Sequence, residues 1–143
     1  MWQTGKYYYE DAKEAAERSG FKNIQVLDFI QRMDLAYAAA DIIISRAGAG
    51  TISELCLVGK PVILVPSPNV AEDHQTKNAM ALVNKKAAII IKDNEAKQRL
   101  INTALELVIN EMLINTLSKN IKGMALRDSA KTIAREVLKL VKR

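Results

Sequence analysis

At 143 residues, 49% of them apolar but only 5% aromatic, the chain has the length for one domain with a real core, packed mainly by Leu, Ile, Val and Ala. Its single cysteine, Cys56, excludes an internal disulfide, and its single histidine, His74, argues against a His/Cys zinc site. The net charge of +5 is gathered at the C-terminus, where Lys119 to Arg143 carries eight Lys/Arg against Asp128 and Glu136, a balance of +6 that leaves −1 for the rest. That basic end reads as a solvated helix face before it reads as a contact for anionic lipid. No interleaved aromatics or RNA-binding motif support a nucleic-acid partner. No apolar run approaches the roughly 20 residues of a membrane span, no signal-peptide pattern opens the sequence, and a reducing cytoplasm is the expected setting.

In chain order, Tyr9 to Arg18 is expected as a helix with Ala12, Ala15 and Ala16 on one side and Gly20 as its stop. Asn23 to Ile30 holds a strand with Ile24, Val26 and Phe29 turned inward, and "RMDLAYAAA" a short helix ending near Ala40. "DIIIS" is a continuous β-branched run that fits a parallel strand buried on both faces. A helix over Thr51 to Val58 closes at Gly59, and "VILVP" is the next buried strand, ended by Pro66. The loop "SPNVAED" leads to a helix from Asp73 to Asn84, then a strand in "AAIII". From Glu95 onward the pattern is helical, the last helix capped by Asp128. Strands alternating with helices predict an α/β fold, a Rossmann-like parallel sheet flanked by helices, with ligands beyond the carboxyl ends of the strands. Cys56, Met33 and the Tyr7–Tyr9 run are read as packing residues.

Two polar segments fall at those carboxyl ends. In "SRAGAGTISEL", Gly48 and Gly50 can take positive φ and admit a close ligand, and the helix start offers N–H groups and partial positive charge to an anion such as a diphosphate. The loop lacks the lysine of a Walker A sequence, and Ser53 stands where a third dinucleotide-binding glycine would be, so spacing alone names no nucleotide. "TISE", Thr51 to Glu54, matches a capping box; the competing reading has Glu54 accepting both hydroxyls of a ribose. In "NVAEDHQTKNA", one helical face can present His74, Gln75 and Asn78, whose amides suit sugar hydroxyls as well as a solvated first turn. His74 has no spaced Asp or Ser partner that would mark it as a general base. No carboxylate pair suited to Mg²⁺ is apparent, and no metal or cofactor is expected.

The stretch "FIQRMDLAYAAADIIISRAGAGTISEL", followed by "GKPVILVPSPNVAEDHQTKNA" and preceded by "WQTGK", resembles the C-terminal, donor-binding domain of the MurG-type bacterial N-acetylglucosaminyltransferases of glycosyltransferase family 28. The specific motifs run from Trp2 to about Ile91. The resemblance implies one half of a two-domain GT-B fold that binds UDP-N-acetylglucosamine for the conversion of lipid I to lipid II in peptidoglycan synthesis. Carried over by motif, Thr4 lies near the diphosphate and sugar, and Phe29 and Ile30 match the segment whose backbone reads uracil. Gly48, Ala49, Gly50, Thr51, Ile52, Ser53 and Glu54 match the loop and helix start at the diphosphate, Glu54 on the ribose. Gln75 and Asn78 match contacts to the N-acetylglucosamine hydroxyls, with His74 a neighbour.

With Met1 directly before "WQTGK", the resemblance also implies a single donor-binding domain over residues 1–143, with C-terminal helices from about 95. The acceptor-binding N-terminal domain, and the first strand and glycine-rich loop of the C-terminal domain, would then lie outside this sequence. Such a fragment holds no catalytic residue. Lipid I would be met through the other domain, at the inner face of the cell membrane. Two alternatives are the donor-binding subunit of a split N-acetylglucosaminyltransferase and a non-catalytic nucleotide-binding or interaction module docking by its basic helices. Sugar-nucleotide epimerases share the fold but also need a second domain.

Overall fold

The computed structural model describes residues 1–69 and 73–141. Part of the expected "SPNVAED" loop, residues 70–72, and the terminal pair 142–143 lie outside the described residues. The chain divides into two compact units, Met1–Ala40 and Asp41–Arg143.

In the first unit, β1 (Trp2–Gln3) pairs in parallel with β2 (Val26–Leu27), Trp2 opposite Val26. Between them lies a short 3-10 turn and then α1 (Tyr9–Arg18), whose bounds are those the sequence suggests. Ala12 is buried, but Ala15 is exposed, so the alanine side is narrower than expected. Gly20 follows the helix at φ 74°, a left-handed stop. α2 (Met33–Ala39) completes this unit. Two expectations fail here. Ile24 and Phe29 are exposed, because β2 is only two residues long and the chain leaves the sheet on either side of it. Tyr7 and Tyr8 are exposed too; they pack on each other edge to face, with ring centroids 4.7 Å apart.

The second unit is a three-stranded parallel sheet in the order β3 (Ile43–Ser45), β4 (Val62–Leu64), β5 (Ile89–Ile90). Ile43 registers with Val62, and Ile63 with Ile89. Each parallel step needs a crossover, supplied by α3 (Ala49–Val58) and α4 (His74–Val83). Central β4 is wholly buried, as "VILVP" requires. "DIIIS" is not buried on both faces. β3 borders this sheet, and Ile44 is 43% exposed while Ile43 turns into the core.

α5 (Asp93–Val108) and α6 (Glu111–Gly123) cover the sheet. Their Leu107 and Leu117 join Ile63 and Ile91 in one buried cluster. Each such side chain is worth roughly 1.5–3 kcal/mol when fully buried. Asn110 caps α6 by accepting the Leu113 N–H at 3.0 Å. α7 (Ser129–Val141) buries none of its residues. The Asp128 carbonyl accepts the Thr132 N–H at its start, while the Asp128 carboxylate lies 3.4 Å from Lys131. Among the described residues, no helix is long and apolar enough to cross a membrane.

Candidate functional site

Because β3, β4 and β5 run in parallel, the segments after Ser45, Leu64 and Ile90 all emerge at one edge of the second unit. The glycine loop is the first of them. Its helix begins two residues earlier than expected: Gly48 is the N-cap residue, and the Ile52 N–H makes the first bond, 2.9 Å to the Gly48 carbonyl. The N–H groups of Ala49, Gly50 and Thr51 therefore precede the intrahelical ladder. The N-cap residue, a glycine, has no side chain with which to cap them.

This placement overturns the capping box. Thr51 sits inside the first turn, and Glu54, exposed, lies beyond the position from which a side chain reaches back to the N-cap. It also overturns the expected glycine geometry. Gly48 has φ −65°, and Gly50 is likewise not among the positive-φ glycines. What the glycines provide is bare backbone: a Cβ built on Gly50 would meet nothing within 4 Å. Ser53, also exposed, donates its hydroxyl back to the Ala49 carbonyl at 3.2 Å, and Ile52 is half-buried. Three N–H groups at the positive end of a ten-residue helix, with glycine at its N-cap and at its second position, can accept an anion.

α4 brings the second polar segment against the first. The Gln75 side-chain oxygen accepts two backbone N–H groups, from Ala47 at 3.1 Å and Ser67 at 2.9 Å. Asn78 donates its Nδ2 to the Ala47 carbonyl at 3.0 Å. Ala47, fully buried, is thus held at both its N–H and its C=O by one helix. The Gln75 nitrogen and the Asn78 oxygen take no part in these bonds. His74, exposed, opens α4, and Asp73 stands before it at φ 55° without a side-chain capping bond.

Sequence reasoning passed over Arg46. Its Nη1 donates to the Val65 carbonyl at 3.1 Å and the Pro66 carbonyl at 3.4 Å, and pairs with Asp93 at the start of α5. One guanidinium so links all three strand ends. Its place beside the glycine loop was the only signal in the sequence, since Asp93 is 47 residues away.

The first unit collects its own predicted residues at the carboxyl edge of β1 and β2. Thr4, half-buried, donates its backbone N–H to the Leu27 carbonyl at 3.0 Å and its hydroxyl to the same oxygen at 3.3 Å. The Ile30 N–H donates to the Gln3 side-chain oxygen at 2.8 Å, and the Phe29 N–H to Asp28 at 2.8 Å. A base that takes the Ile30 N–H must therefore displace Gln3. Its carbonyl is not engaged by that bond.

A cleft of about 480 Å³ opens at the opposite, amino end of the strands, lined by Asp41, Lys60, Pro61 and Glu111 among others. Two carboxylates against one lysine make it a poor anion site, and it contains none of the residues above. Among the described residues, no group of three or more His, Cys, Asp or Glu is placed to hold a metal ion. Cys56 is 5% exposed, and burial pushes its thiol pKa up, so it stays protonated and inert.

Residues 1–133 match the family described as the glycosyltransferase family 28 C-terminal domain. The chain is 59% identical over 141 residues to the UDP-N-acetylglucosamine–N-acetylmuramyl-(pentapeptide) pyrophosphoryl-undecaprenol N-acetylglucosamine transferase of Bacteroides thetaiotaomicron, covering 98% of this chain and 38% of that protein. It is 60% identical to the protein of the same name from Bacteroides fragilis, covering 98% and 37%. Among solved structures, Acinetobacter baumannii MurG matches with a TM-score of 0.84 and 30% identity, over 96% of this chain and 42% of that one. The chain thus spans about two fifths of the length of these relatives.

Proposed function

The chain belongs to the glycosyltransferase family 28 C-terminal domain family, and on that premise we propose that it binds UDP-N-acetylglucosamine as the donor half of the transferase that converts lipid I to lipid II. The observation that carries the reading is the start of α3, where a glycine N-cap brings no side chain to three N–H groups that precede the intrahelical ladder, and where the adjoining residue is gripped by α4. A diphosphate fits that receptor, Glu54 lies one turn further along the same helix for the ribose, and the amides of Gln75 and Asn78 supply sugar contacts.

In this proposal the reaction is an inverting displacement. A hydroxyl oxygen of the acceptor sugar forms a bond to the anomeric carbon as the bond from that carbon to the diphosphate breaks. The hydroxyl proton goes to a base supplied with the acceptor site, outside the residues seen here. The role of this chain is electrostatic: fixed N–H dipoles stabilise charge developing on the departing UDP. The full transferase would work peripherally at the inner face of the bacterial cell membrane, where its lipid acceptor resides. Titration calorimetry of the folded chain with UDP and UDP-N-acetylglucosamine tests the reading. Binding of both is expected, with no turnover by this chain alone; a folded chain that binds neither refutes it.

A further inference from the structure

We propose that Gln75 and Asn78 are positioning residues for the anion receptor, holding the start of α3 in register with the end of β4, in addition to any contact with sugar. The inference rests on the UDP reading above only for its ligand arm. Its basis is the bonding pattern. One Gln75 oxygen accepts N–H groups from two different loops, at Ala47 and Ser67, and Asn78 takes the carbonyl of the same Ala47. Ala47 directly precedes Gly48, the N-cap residue of α3. Its buried peptide groups have no water to turn to, so removing either amide leaves a buried donor or acceptor unsatisfied. A loop that shifts to recover a partner moves the N–H groups of Ala49, Gly50 and Thr51 with it. With its oxygen so engaged, the Gln75 amide can turn only its NH₂ toward a ligand. Its sugar contact is therefore a donor contact.

Two readings of these amides part company over a ligand that lacks sugar. If Gln75 and Asn78 touch only the sugar, Gln75→Met and Asn78→Ala weaken UDP-N-acetylglucosamine and leave UDP alone. If they position α3, both variants weaken UDP as well, by about fivefold to tenfold for the loss of a hydrogen bond.

A ligand-free arm separates this inference from the UDP reading. Amide hydrogen exchange in Gln75→Met is expected to speed up at both Ala47 and Ser67 by about tenfold or more. The Ile91 amide, bonded to the Leu64 carbonyl in the sheet, should hold its rate and report an intact core. Gln75→Glu keeps an acceptor oxygen and should restore slow exchange at both sites. Should Gln75→Met also speed exchange at Ile91, Asn78→Ala decides: it frees the Ala47 carbonyl, so faster exchange is expected at Ile52, whose N–H closes the first turn of α3 on the Gly48 carbonyl, while Ala47 and Ser67 keep Gln75 as their acceptor. Unchanged exchange at Ala47 in Gln75→Met, or at Ile52 where Asn78→Ala decides, overturns the inference, whether or not the chain binds UDP. Failure of the unaltered chain to bind either nucleotide, with these exchange changes present, overturns only the ligand reading.

Discussion

Gly50 offers a substitution whose effects on folding and on binding should have opposite signs. It lies in the first turn of α3 with ordinary helical backbone, and a Cβ there meets nothing within 4 Å. Gly50→Ala therefore introduces no clash and removes unfolded-chain entropy. The gain inside a helix is about 0.5–1 kcal/mol, and a first-turn position takes the lower part of that range. A melting temperature raised by roughly 2 °C is expected in thermal unfolding. The same open space is where an anion must come to meet the N–H groups of Ala49, Gly50 and Thr51. Gly50→Leu should keep the fold while raising the dissociation constant for UDP about tenfold or more by calorimetry, with the alanine variant between. A leucine variant that is as stable as the parent and binds UDP equally well would refute the argument that the ligand sits over this turn. A destabilised alanine variant would instead refute the geometry from which the space was read.

Glu54→Ala should cost about 1 kcal/mol of stability or less, since the residue is exposed and does not occupy the capping position. Its UDP affinity should nevertheless fall about tenfold, and equal affinity in the same titration would remove Glu54 from the ribose. Gly59 closes α3 at φ 71°, and a Cβ there would lie 3.2 Å from the Lys122 Cβ on α6. Gly59→Ala should destabilise the chain by about 1–2 kcal/mol, read as a lower urea midpoint, and an unchanged midpoint would contradict the left-handed closure. Cys56 holds its proton above the ordinary thiol range because it is buried. The unfolded thiol ionises first as pH rises, so the folded state binds more protons there. This contribution to stability is fully present below the ordinary thiol range and is lost as pH rises past it. Native-state reaction with a disulfide reagent should be slow at neutral pH and become fast only in urea; rapid native labelling would contradict the burial.

The alternation of elements was legible because its signals are local. Gly20 and Gly59 mark helix ends by backbone freedom alone, and "VILVP" reads as a buried strand because four successive apolar residues leave no solvent face. The same reasoning overreached at "DIIIS". An apolar run cannot state how many strands flank it, and at the border of the second unit's sheet Ile44 turns out to solvent. "TISE" misled for a related reason. A capping box is a pattern of residue types, but the helix begins wherever its first bond can form, and with Gly48 and Ala49 available it forms two residues earlier.

The site shows a deeper limit of reading residue types. An amide that suits a sugar hydroxyl suits a backbone peptide equally, since both present one donor and an acceptor at the same distance. Gln75 and Asn78 drew attention as sugar contacts, yet the bonds they make are to Ala47 and Ser67, up to 31 residues away in sequence. Arg46 drew none, although its reach across the strand ends to Asp93 is the longest in sequence of the bonds described here. Such bonds depend on which loops the sheet brings side by side, and that follows from the parallel order of β3, β4 and β5 rather than from any local pattern. An anion could be proposed for the glycine loop because N–H groups at a helix start attract an anion in any fold. The means of holding that helix start in place required the fold itself.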